Sequence, residues 1–265
     1  MPESLINLIP PDTPIPAAIA AMCGAVLIIG IAKSGFGGGV GILAVPLLAV
    51  ALSPEVAVGV MLPILICADV VALVQHRKFR SWRHLRWSFL GGAFGVGIGT
   101  VLFWWFRSSE VLPTALNLTV GGVCLVLVGL QLYRMFGGKV PAVPDNAAAG
   151  TTAGSVAGVV STLAHSAGPV MTVYLLEHKL KKRMLVGTLV LFFFLLNVAK
   201  LPTYFGFGLI DRQTLVASAM MFPLVPVGSL MGFWLNKVIA EKPFVLVMYA
   251  GAAAAGLRMV WKGLA

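Results

Sequence analysis

Acidic side chains are nearly missing from this sequence. Nine Asp and Glu stand among 265 residues, and all four charged types together reach only 11%, against about 25% in an ordinary soluble domain. With 59% of residues hydrophobic, too little polar surface remains to cover a globule in water, so the chain must be solvated by lipid. Cysteine is equally sparse. Cys23, Cys67 and Cys124 all fall in apolar runs, where they read as small buried hydrophobes, and their spacing excludes a disulfide framework or a metal-ligand set. No Walker A sequence, no HExxH and no Ser in a GxSG setting occurs, which excludes nucleotide-driven work by this chain and leaves no recognisable hydrolase centre. A basic n-region is lacking too, so the proline-rich start MPESLINLIPPDTP reads as a short external leader over residues 1–15, not as a signal peptide.

What the chain has in quantity is long apolar stretches. A crossing of the bilayer needs about 20 apolar residues, and such runs occur at Val56 to Val74, Leu85 to Phe106, Val111 to Phe136, Met184 to Thr203, Thr214 to Leu235 and Phe244 to Trp261. Two further segments, Pro16 to Leu52 and Ala147 to Glu177, are too long for one ordinary crossing and are interrupted, the first at AKSGFGGGVG and the second at AHSAGP. The interruptions correspond. At a constant offset of 128 residues Gly30 meets Gly158, Leu47 and Leu48 meet Leu175 and Leu176, Gly59 meets Gly187, and Asp69 meets Asn197. Paired broken segments in two halves of a membrane chain point to a transporter's binding site, because interrupted helices expose backbone groups able to replace a solute's water.

The net charge of +10 does not call for nucleic acid, since the basic residues cluster in short loops beside apolar runs, where they orient a membrane protein. The clusters Gln75 to Arg86 and Lys179 to Arg183 should both be cytoplasmic. That requires each interrupted segment to enter and leave on one side. Only Arg107, Arg212, Arg258 and Lys262 then lie outside, Lys33 and Lys200 are embedded, and the other 13 of 19 Lys and Arg lie inside. The expected architecture is an all-α polytopic membrane protein of one domain. It has two inverted-topology repeats, each a broken or re-entrant helical hairpin plus three transmembrane helices: repeat 1 over 16–136, a cytoplasmic linker at 137–146 and repeat 2 over 147–265, with both termini external. Gly91, Gly95 and Gly99, like Gly228 and Gly232, follow small-xxx-small spacing and read as helix-packing positions.

The chemistry is expected at the hairpin tips. Gly35, Gly37, Gly38, Gly39 and Gly41 cannot hold a continuous helix, as each costs about 1 kcal/mol relative to alanine, and Pro169 disfavours helix at Gly168. Each new helix after a break offers unpaired N–H groups at the positive end of its dipole, which suits an anion. Lys33 and Ser34 precede the first break, and Thr162, His165 and Ser166 precede the second. An embedded charge costs at least about 2.5 kcal/mol on insertion scales and is a functional candidate by default. Lys33 reads either as a substrate cation or as the partner of Asp69. Asp69 reads either as a proton-coupling carboxylate or as a buried counter-ion. Asn197, its repeat mate, joins the candidate binding set but does not titrate. Lys200 reads as a snorkelling interfacial residue or, alternatively, as a guide for anions, and Trp104, Trp105 and Phe192 to Phe194 as lipid-facing or interfacial packing.

The segment GIAKSGFGGGVGILAVPLL with SPEVAVGVMLPILICADVVALVQHRKFRSW after it, and the weaker second copy from GVVSTLAHSAGPVMTVYLLEHK onward, resemble the TauE/SafE family of sulfite and organosulfur exporters. The resemblance spans nearly the whole chain. It implies a bacterial inner-membrane, multi-pass permease for sulfite, sulfonates or related small organic anions, with the glycine-rich motif at Lys33 to Gly41 and the second motif at Thr162 to Pro169. Expected partners are a small anionic substrate and the bilayer, with proton coupling and a homodimer as further options; no cofactor and no catalytic pair are expected. An anion-selective channel is the alternative reading.

Overall fold

In a computed structural model the described residues are 8–36, 52–76, 79–107, 136–138, 144–165, 167–178, 180 and 182–238, apart from position 12, together with scattered positions within 44–48, 114–133 and 250–264. All their regular structure is helical. The elements are α1 (Ile15–Phe36), α2 (Pro54–His76), α3 (Trp82–Arg107), α4 (Ala147–Ala164), α5 (Gly168–Glu177), α6 (Lys182–Gly206), α7 (Arg212–Met221) and α8 (Leu224–Val238). Stretches within α1, α2, α3 and α6 are each long and apolar enough to cross a membrane, and α7 with α8, bent by 45°, would make a fifth crossing. Exposed apolar side chains such as Leu90, Phe94, Val101 and Trp105 on α3 need lipid as their solvent. The runs Val111 to Phe136 and Phe244 to Trp261 lie largely outside the described residues, as do Gly37, Gly38, Gly39, Cys124 and Ser166.

The second interrupted segment turns back on itself. Asn146 caps α4 by accepting from Ala149 N at 2.7 Å, the chain breaks at His165, and α5 returns so that Tyr174 Oη faces Gly150 near the start of α4. Asp145 before α4 and His178 after α5 both meet His84 at the start of α3, so the segment leaves where it entered. In the first segment α1 alone spans 22 residues, about 33 Å at 1.5 Å per residue. Leu47, beyond the glycine run, packs against Gly24 in that helix.

The tightest helix pairs are α3 with α4 and α1 with α8; α2 packs on α6, α3 on α6, and α2 on α7 and α8. Glycines make the close approaches possible. A Cβ on Gly91 would stand 2.0 Å from Thr151 O and one on Gly95 2.1 Å from Ser155 O, while one on Gly228 would stand 2.6 Å from Leu27 O. Those contacts bear out the packing role read from the spacing. We predict that Gly91→Ala, which must push α3 off the α4 backbone, destabilises the protein by about 1–3 kcal/mol. Gly97→Ala, with nothing within 4 Å of the added carbon, should be neutral or mildly stabilising. Thermal unfolding of the two purified variants checks the order; equal midpoints would contradict the packing account.

Three expectations need correcting. Thr214 to Leu235 is not one continuous span, because Pro223 sits in the break between α7 and α8 and denies the helix an N–H donor. Phe192 and Phe193 are buried and do not face lipid: they pack with Leu189, Leu196 and Met171 in the core between α5 and α6. Trp104 and Trp105 are exposed as expected. Lys200 does not snorkel, since it is fully buried, six residues inside the end of α6.

Candidate functional site

The polar residues of the interior gather where α1, α2, α4 and α6 meet. Their placement follows from helix periodicity. Asn197, Lys200 and Tyr204 lie three and four residues apart in α6 and therefore share a face, which looks toward the end of α4. There His165 takes a left-handed conformation, φ 49°, with its N–H donating to Ser161 O, and so ends the helix. Histidine tolerates that region better than most side chains. Pro169 is not at the break itself but in the first turn of α5, where its missing N–H would have been unpaired anyway.

Two connected clusters result. In the first, Lys33 Nζ near the end of α1 pairs with Asp69 Oδ1 from α2, and Asn197 Nδ2 donates to Asp69 Oδ2 at 2.7 Å. The same ammonium lies 4.6 Å from the centre of the Phe193 ring, a cation–π arrangement. In the second, Lys200 Nζ donates to Ser161 Oγ and His165 Nδ1, both at 2.9 Å, and to Ser161 O at 3.2 Å. Three acceptors match the three donors of an ammonium group. With Nδ1 accepting, His165 Nε2 carries the proton and donates to Val58 O at 3.0 Å, a tautomer assigned from the network. Tyr204 Oη donates to Thr162 O at 2.7 Å and lies 3.3 Å from His165 Nε2.

Asp69, Lys200, Thr162 and Tyr204 have no exposure, and Lys33 and Asn197 very little. Such charges persist in an apolar interior only when paired and hydrogen-bonded. Among the described residues the interior thus holds two lysines against one carboxylate. Lys33 makes one hydrogen bond to oxygen among these residues, that to Asp69.

The structure brings Lys33, Asp69, Thr162, His165 and Asn197 together, and shows the Lys33–Asp69 pair that the sequence left as one of two readings. Thr162 Oγ1 donates to Gly158 O at 2.8 Å within its own helix. Ser34 Oγ donates to Gln75 Oε1 at 3.3 Å. Gly35 lies inside α1 against Gly232 in α8, which is a packing position. Gly168 is buried at the start of α5. Ser161 and Tyr204 join the network without having stood out in the sequence, and Lys200, read there as an interfacial charge, lies within it. Lys200 carried a signal, as a charge inside an apolar run, but Ser161 and Tyr204 have none.

Residues 22–259 match the family described as Sulfite exporter TauE/SafE. The chain belongs to this family. The match covers nearly all of the TauE/SafE protein described above, including every residue of both clusters. No curated protein and no solved structure matches it. Membership, with the apolar helices, makes this TauE/SafE chain a multi-pass membrane protein of a transporter family, in keeping with a sequence that offers no catalytic pair.

Proposed function

We propose that this TauE/SafE protein is a secondary transporter of one small sulfur-containing oxyanion, such as sulfite or a short sulfonate, by alternating access around the Lys33–Asp69–Asn197 and Lys200–His165 clusters. One observation carries the reading: among the described residues the interior contains two buried lysines and a single carboxylate, so that with both lysines protonated one positive charge is left for a bound anion to close. An uncompensated buried charge is costly, and hydrogen-bond donors gain strength in a low-dielectric interior. Titration of the purified protein with sulfite, sulfate, sulfoacetate, taurine and acetate tests it. Saturable binding of the anions, with zwitterionic taurine weakest, is expected; a panel bound without regard to charge would remove the proposal.

Alternating access fits two inverted repeats that hold the solute between them. The helix contacts support that symmetry. Shifting by 128 residues turns α1 into α4, α2 into α6, and α3 into α7 and α8, and it exchanges the α1–α8 pair with the α4–α3 pair. Asp69 and Asn197, mates under the shift, touch each other. Gly59 and Gly187, also mates, each abut a loop carbonyl of the other half, Leu209 O and Phe79 O. In a variant freed of its native cysteines, Pro11→Cys and Gln213→Cys should react with an impermeant thiol reagent from outside the cell, and Pro144→Cys should not. Labelling of position 144 from outside would overturn the inverted arrangement.

A further inference from the structure

At the open end of the α4–α5 hairpin His84, Asp145 and His178 each present a ligand atom, and the three atoms lie within 4.8 Å of one another. We propose that these residues form a site for a borderline divalent transition-metal ion, Zn2+ being the type case, that clasps both ends of the hairpin to α3. Spacing along the chain gave no hint of it, because the ligands are 61 and 33 residues apart and only the reversal of α4 into α5 unites them. The inference is independent of the transport reading.

Three observations beyond proximity support a ligand. First, His178 Nε2 is shielded from solvent and has no hydrogen-bond partner, an orphaned buried group that calls for explanation. His84 Nε2, also shielded, stands 3.3 Å from Asp145 Oδ1 but lacks hydrogen-bond geometry to it. Second, the supports expected around metal ligands are present. Ser81 Oγ lies 2.7 Å from His84 Nδ1, so that Nδ1–H can donate to the hydroxyl and leave the Nε2 lone pair free. Arg83 Nη2 holds the other carboxylate oxygen of Asp145 at 3.0 Å. Such outer partners fix the tautomer and orientation of metal ligands. Third, the Asp145 side chain is 42% exposed, which gives an ion a way in.

The two imidazoles stack with centroids 4.8 Å apart. Drawing three atoms from that spacing to the ligand separations of a tetrahedral ion with Zn–N near 2.0 Å moves each by about 1 Å, within reach of side-chain rotation. Two imidazoles and one carboxylate suit Zn2+, Ni2+ or Cu2+ over Mg2+ or Ca2+, which prefer oxygen. Three protein ligands leave the remaining positions to water.

The test is calorimetric titration of the full chain, purified in detergent with any affinity tag removed, using ZnCl2 and separately MgCl2. One Zn2+ per chain should bind, accompanied by a rise in Tm, and Mg2+ should do neither. His178→Ala, outside the helices, and Asp145→Asn should each weaken Zn2+ at least about tenfold and abolish the Tm rise, and Ser81→Ala should weaken it about tenfold. Gel filtration verifies that each variant is folded, and the conservative His178→Gln replaces any that is not. No stoichiometric Zn2+ binding by the unaltered chain, or unchanged affinity in both His178 and Asp145 variants, would overturn the site.

Discussion

Lys33→Met should abolish anion binding and cost the protein roughly 3–5 kcal/mol of stability, the usual penalty for stranding one member of a buried ion pair. The stranded group is Asp69, which has no exposure and, among the described residues, would keep its hydrogen bond from the amide of Asn197. Stability loss alone would not distinguish a substrate cation from a structural partner. The double variant Lys33→Met/Asp69→Asn does, because it removes both charges and returns much of the lost stability, as expected of directly coupled residues. If Lys33 neutralises substrate, the double variant remains unable to bind sulfite. Recovery of binding together with stability would assign Lys33 to structure alone. Thermal unfolding and calorimetry on the same samples give both readouts.

Asp69→Asn should abolish uptake driven by a pH gradient while leaving substrate exchange in place. On a proton-coupled reading of the proposed function, the carboxylate would compete with the substrate for Lys33: ionised, it would occupy the ammonium, and protonated, it would release that cation for an anion. Proton and anion would then load together, and anion affinity should rise as pH falls through the titration of Asp69. An Asn at this position imitates the protonated form and reproduces its mate, Asn197. Affinity in the variant should be high and independent of pH, measured by titration across the acidic to neutral range and by flux in liposomes. Loss of exchange as well would make Asp69 a counter-ion. Unchanged pH dependence would place the coupling elsewhere, with His165 the next residue to test.

Much of this organisation was legible because it rests on local chemistry. Asp145 through His178 forms a returning segment, as the distribution of Lys and Arg demanded, whereas Gly35 lies inside α1 and Gly37, Gly38, Gly39 and Gly41 lie outside the described residues. The offset that paired Asp69 with Asn197 on paper pairs residues that touch in space. What escaped the sequence depended on depth and on distant contacts. Lys200 looked close to the end of its run, but α6 continues to Gly206 and carries the ammonium inward to Ser161 and His165. The aromatic run at Phe192 to Phe194 has no periodicity to distinguish lipid from core, and only the packing of α5 on α6 decides it. Pro223 did carry a signal, yet the apolar run around it concealed the break. The His84, Asp145 and His178 cluster lies on three segments, and no spacing rule joins them.

The most direct test of the central claim is counterflow. Liposomes containing the protein and loaded with unlabelled sulfite are placed in labelled sulfite, and entry of label is followed with time. Saturable, transient accumulation by the unaltered protein, absent from Lys33→Met/Asp69→Asn, is the predicted result. Unsaturable entry at channel-like flux, or entry that the double variant leaves unchanged, would contradict a transporter built around these charges.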